Sequence, residues 1–198
     1  MQTQLMSNQD PTPPSEQNLR EAAIAHLARY ASTQAGLARV LMRRIDNWAR
    51  RARRTGDRDI IGDQVRAARE LIPPIVARLA KAGAVDDVNF AATRSLSLTR
   101  AGRSARAVQA HLTAKGVPAE TTKEALPVDP EREFGACLAA AKKRRLGPFG
   151  TADDLATRDK ELMALARAGF SERTARALFR LSREEAEERL LTWRDGLE

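Results

Sequence analysis

The amino-acid sequence predicts an all-α protein built from tandem three-helix units. Three observations lead there. Hydrophobic residues fill 42% of the 198 positions but aromatic ones only 4%, so the core has to come from Leu, Ile, Val and Ala on thin, closely packed helices. Apolar residues recur at three- and four-residue steps, the period of a helix with one buried face. The series Leu112, Gly116, Val117, Thr121 returns as Leu165, Gly169, Phe170, Thr174 at a constant offset of 53 residues, as expected of units that stack and bury their faces on one another.

Residues 1–16 carry three of the nine prolines and few large apolar groups, a composition that cannot repay the entropy of ordering, and they read as a disordered leader. Residues 17–83 form the first predicted unit. Ile24, Leu27, Ala28 and Ala31 share a helix face, and Ser32 caps the next helix. That helix places Leu37, Leu41, Ile45 and Trp48 on one side and Arg39, Arg43, Arg50 and Arg54 largely on the other. A loop is predicted over 53–59, with helix resuming near Gly62. Pro73 and Pro74 interrupt the helical pattern of 63–82, because an internal proline removes a hydrogen bond and clashes with the preceding turn. Ile75, Val76 and Leu79 line the second half, and Gly83 closes it.

The second unit, residues 84–127, opens with Asp86 and Asp87 at a helix N-terminus. The helix over 88–101 ends at Gly102. Ser104 caps a helix whose Ala105, Val108, Leu112 and Lys115 stem share a face, Gly116 stops it, and Pro118 starts a short helix over 119–126. The third unit, residues 128–181, repeats the order with helices over 131–145, 159–169 and 171–181. Residues 182–198 read as a terminal helix with Ser182 and Glu185 in capping-box spacing and Leu190, Leu191 and Trp193 as its apolar residues, covering the end of the stack or fraying beyond Thr192.

Little in the chain carries reaction chemistry. His26 and His111 stand alone, and Cys137 lies on the apolar stripe of Phe134, Cys137, Leu138 and Ala141 as a small hydrophobe. The pairs Asp86–Asp87 and Asp153–Asp154 sit at presumed helix starts. With no phosphate loop, nucleophile elbow or paired metal-binding histidines, the chain reads as a non-enzyme without cofactor or metal. No basic start followed by an apolar run marks an export signal, which places the protein in the cytoplasm.

Charge is the stronger signal. Residues 1–150 hold 25 of the 34 cations against 15 of the 26 acids, a basic body suited to an anionic partner. Arg50, Arg51, Arg53 and Arg54 form one cluster; Arg94, Arg100, Arg103, Arg106 and Lys115 surround the central helices; Lys142, Lys143, Arg144 and Arg145 end the helix of the third unit. Positive charge complements a helix C-terminus, which accounts for the first and last groups. Arg103 and Arg106 flank a helix start, where that account fails, and are the leading candidates for partner binding. The helix Ser171–Leu181 also fits a direct DNA-binding regulator of helix-turn-helix type, and a structural adaptor without nucleic-acid binding is the third alternative.

The order D-D-x-x-F-A at 86–91, Gly102, Ser104, Val108, Leu112 and K-G-V at 115–117 resembles the core signature of the bacterial RecX regulatory family. VARLAKAGAVDD at 76–87, KKRRLGPF at 142–149 and ALARAGFSERTARALF at 164–179 are similar to its flanking segments, so that the resemblance covers residues 18–181. Asn89, His111 and the Pro73–Pro74 pair depart from the family pattern. The resemblance implies an elongated, curved array of three-helix repeats. It implies a monomer that binds the RecA recombinase filament and restrains its ATP hydrolysis and strand exchange in DNA repair, with weak contact to single- or double-stranded DNA at most.

Overall fold

The computed structural model describes residues 12–151 and 154–196, and among them every regular element is helical. The chain divides into two compact units, one ending at Asp87 and the other beginning at Val88. Residues 1–11 of the predicted leader, and Asp153, lie outside the described residues.

In the first unit α1 (Glu16–Leu27), α2 (Gln34–Ala52), α3 (Arg58–Glu70) and α4 (Ile72–Lys81) enclose a core of Leu19, Leu37, Leu41, Ile45, Trp48, Ile61, Val65, Ile72 and Ile75. The apolar face predicted for α2 is the buried one. That of α1 is so only in part: Leu27 packs against the core and Leu19 and Ala23 are buried, while Ile24, Ala28 and Ala31 are exposed. Ala23 and Ile24 differ by 100° around a helix axis, and Ala23 is the one on the core side. Thr33, not Ser32, caps α2, its hydroxyl accepting the Gly36 N–H at 2.9 Å. The Asp87 carboxylate accepts the Gln34 N–H at 2.8 Å, satisfying a second donor of the same exposed turn.

Helix α3 starts four residues before the predicted Gly62, because Asp57 caps it by accepting from the N–H groups of Asp59 and Ile60. Pro73 and Pro74 do not kink a continuous helix. Leu71 ends α3 and begins α4, so both prolines fall in the first turn, where an N–H has no intrahelical acceptor to lose. Exposed ion pairs, Arg69 to Asp46 at 2.7 Å and Arg78 to Glu16, join α3 to α2 and α4 to α1 at a modest gain.

The second unit contains α5 (Asp87–Arg100, from Val88 on), α6 (Ala105–Lys115), α7 (Ala119–Ala125), α8 (Pro130–Arg144), a 3₁₀ turn (Gly147–Phe149), α9 (Leu155–Arg167), α10 (Glu172–Leu178) and α11 (Arg183–Asp195). Ala91, Val108, Leu112 and Val117 form a small cluster against which Phe90, Leu98 and Leu126 pack. Ala105, expected on that face, is exposed, because it is the first residue after the Ser104 cap. Helix α8 is the larger centre: Gly135 to Ala141 are buried on every side, with Phe149, Leu165, Phe170, Leu178, Ala186 and Leu190 around them. The residues matched at the 53-residue offset share surroundings. Leu112 and Leu165 are both fully buried, and Gly116 and Gly169 both turn the chain with positive φ.

Helix α9 begins at Leu155, four residues before the predicted Asp159 but directly after the Asp153–Asp154 pair read as a helix start, and Asp154 caps it by accepting the Thr157 N–H at 2.8 Å. In α11 the capping box forms as its spacing predicts, Ser182 and Glu185 exchanging bonds of 2.8 and 3.2 Å. The helix continues past Thr192 to Asp195, buries Leu190, half-buries Trp193 and leaves Leu191 exposed.

Close packing on α8 depends on missing side chains. A Cβ at Gly102, in a left-handed turn at φ 80°, would lie 2.6 Å from the Ala140 nitrogen and 2.9 Å from its Cα, and one at Gly135 would overlap the Trp193 ring. Gly102→Ala therefore costs about 2–4 kcal/mol from backbone strain and overpacking together. Gly62→Ala, in a helix with open space around the added carbon, gains about 0.5–1 kcal/mol. Thermal melts followed by circular dichroism check the pair, and equal responses would contradict this packing.

Candidate functional site

Helices α5 and α6 both contribute to the cluster of Ala91, Val108 and Leu112, and their basic residues are exposed. Arg94 donates from Nε to Nε2 of His111 at 3.2 Å, a bond that requires the neutral imidazole as acceptor. The His111 pKa is lowered, first by partial burial, then by the positive charges of Arg94, Lys115 and Arg103. Those three cations thus act on one histidine. Arg103 sits in the turn after Gly102, its N–H bonded to the Leu98 carbonyl at 3.0 Å. That turn rests on Ala139 and Ala140, one helical turn before the exposed Lys143 and Arg144. Arg100 is exposed in the last turn of α5.

Arg106 does not join Arg103. It stands beside Gly169, where an added Cβ would lie 3.4 Å from its own, and it lines a groove of about 440 Å³ with Thr122, Lys123, Leu126, Val128 and Arg132. The two arginines look adjacent in sequence, but Ser104 caps α6 between them. Its hydroxyl accepts the Ala107 N–H and donates to the Ala168 carbonyl at 2.7 Å, so Arg103 belongs to the turn and Arg106 to the helix.

Lys142, Lys143, Arg144 and Arg145 are exposed at the end of α8. Lys142 places its ammonium 5.9 Å from the Phe149 ring centroid, within cation–π range. Arg145 adopts the left-handed conformation, φ 57°, and the Leu146 N–H reaches the Ala141 carbonyl at 3.0 Å, so the cluster also completes a helix C-terminus.

Two surfaces escaped the reading of the sequence. In the first unit Arg43, Arg44 and Arg51 line a groove of about 710 Å³ with Asn18, Asn47 and Trp48. The doublets Arg43–Arg44 and Arg50–Arg51, seven residues apart, are the signal that could have found it. The groove between α6, α7 and α8 left no such trace, since Thr122 and Lys123 look like ordinary helix-surface residues.

No family model matches the chain. The protein named Regulatory protein RecX of Myxococcus xanthus (strain DK1622) is 36% identical over 159 residues, which span 77% of this chain and 79% of that protein. The chain belongs to the RecX family.

As a regulatory protein of the RecX family, it is best read through its charges and its core. Among the described residues no group of three or more His, Cys, Asp or Glu side chains is placed to hold a metal ion, and no helix is long and apolar enough to cross a membrane. Cys137 is fully buried in α8, and burial, helped by the Glu133 charge, pushes its thiol up to about 12. Glu133 itself is raised by desolvation, against the lowering effect of the Ala105 N–H it accepts at 2.8 Å.

The RecX surface around His111 makes a pH-dependent prediction. A histidine whose folded pKa is depressed binds fewer protons folded than unfolded between its two pKa values, so its contribution to stability is lost as pH falls below about 6.5. The His111 imidazole resonance should therefore titrate with a midpoint below 6.5, and Arg94→Ala should raise that midpoint by removing both a charge and a bond to the neutral form. An unchanged midpoint in the variant would separate Arg94 from His111.

Proposed function

We propose that the protein binds the RecA recombinase nucleoprotein filament and modulates it, mainly by inhibiting ATP hydrolysis and strand exchange, as a cytoplasmic monomer in DNA repair. Membership of the RecX family carries this reading, and the exposed cations supply its physics. Charges spread over one folded body meet an acidic surface through several weak contacts, each raising the effective concentration of the next. No reacting group is required of such a protein. Arg94, Arg103 and Lys115 around His111 form the contact favoured first, with Lys142 to Arg145 adjoining and Arg106 on a separate face.

A helix-turn-helix reading is less well supported. Helix α10 buries Ala175 and Leu178, and Arg176 is engaged by Glu172 at 2.7 Å, which leaves little of this seven-residue helix to read bases.

Added to RecA on single-stranded DNA, the protein should slow ATP hydrolysis at ratios up to stoichiometric. Arg94→Glu with Arg103→Glu should raise the concentration for half-inhibition roughly tenfold, about 1.4 kcal/mol for two reversed surface charges, with helical circular dichroism unchanged. Unaltered inhibition removes this face from the contact. Tight binding to a defined duplex without RecA would favour the direct DNA regulator instead.

A further inference from the structure

We infer that the groove between α6, α7 and the start of α8 is a docking site for a segment of a partner protein that presents a carboxylate beside an apolar side chain. It deepens the reading above by naming the chemistry of the segment grasped, and it rests on that reading only in taking a protein as the partner.

The first observation is an unpaired polar floor. Thr122 is only 4% exposed and lines the groove, yet its hydroxyl has no hydrogen-bond partner, nor does the buried Nε of Arg132 in the same groove. Buried polar groups are nearly always bonded. Two orphans among the residues lining one concavity point to a group supplied from outside. Both can donate, so that group is an acceptor.

The second observation is charge. Arg106, Lys123 and Arg132 line the groove, while the two carboxylates there are already engaged by backbone. Asp129 accepts from the N–H groups of Glu131 and Arg132 at 3.0 Å each, and Glu133 accepts from Ala105. Helix starts thus hold both carboxylates in place, and three cations against two anions leave the lining net positive. A carboxylate meets all of these needs, taking bonds from Thr122 and Arg132 in a charge-assisted geometry.

The third observation chooses between macromolecules. Leu126 and Pro127 form an apolar wall, and Val128 at its lip is 100% exposed. A phosphate backbone would leave that wall unused, whereas a peptide segment covers it with a neighbouring side chain, the combination of apolar pocket and few placed polar groups that binding sites use.

The test uses the full chain labelled with nitrogen-15 and three probes: the capped peptide Leu-Glu-Leu, the same peptide with Gln, and a short oligothymidylate. The Glu peptide should shift the amides of Thr122 to Val128 and of Arg132, the Gln peptide should bind at least about fivefold more weakly, and the oligonucleotide should leave those amides in place. Lys123→Ala should weaken the Glu peptide about threefold. Thr122→Val should weaken it too while raising the melting temperature, since an unpaired buried hydroxyl is removed. No shift at millimolar peptide, equal binding of Glu and Gln, oligonucleotide shifting the same amides at lower concentration, or a lowered melting temperature for Thr122→Val would each overturn the assignment. Because RecA takes no part, failure here and failure of filament inhibition are separate results.

Discussion

The second unit depends on how closely its neighbours can approach α8. From Gly135 to Ala141 the helix offers glycine, alanine and one cysteine, broken only by Leu138. A surface so smooth lets backbone, not just side chain, rest on it: the turn at Gly102 sits against Ala139 and Ala140, and the Trp193 ring lies over Gly135. Interiors packed to crystal density tolerate few added atoms, so this contact fixes the angle at which α5 gives way to α6. Everything that the α5–α6 face presents, Arg103 first, inherits its position from that approach.

A second tether holds the same region from the other side. Ser104 spends one hydroxyl on two elements, capping α6 and bonding the carbonyl that ends α9, while Gly169 leaves room for it. The cap therefore decides more than the start of a helix. It separates Arg103, carried by the turn, from Arg106, carried by the helix beside the groove of Thr122. Asp129, Asp154, Glu133 and Glu185 each accept from a main-chain N–H, so helix starts fix where these negative charges lie.

Much of the fold was legible because large aliphatic side chains keep helical phase. Leu37, Leu41, Ile45 and Trp48 announce the buried side of α2, and Val108 and Leu112 that of α6, with no tertiary information. Errors fell where small residues decide. In α1 the bulk of Ile24 suggests the core side, but Ala23 takes it. The helix start at Arg58 is hidden because Asp57 looks like a loop residue until its carboxylate is seen to accept from the turn that follows, whereas the Asp153–Asp154 pair does mark the start at Leu155. The all-helical class and the RecX resemblance both stood. The candidate site was legible only as a list of cations. Their grouping was not, since Arg103 and Arg106 are separated by a cap and not by a helical step, and the burial of Thr122 arises only when α7 closes on α6.

Cys137 gives the most direct measurement of the packing on which all of this rests. It is the single thiol of the chain, fully buried in the middle of α8, and a probe of whether the smooth face of that helix is covered. Labelling with a thiol-reactive disulfide in native buffer should proceed many orders of magnitude more slowly than for an unfolded control, and should accelerate with denaturant along the unfolding transition, because reaction must wait for the core to open. Labelling at the rate of a free thiol in the native protein would show α8 uncovered and would contradict the account.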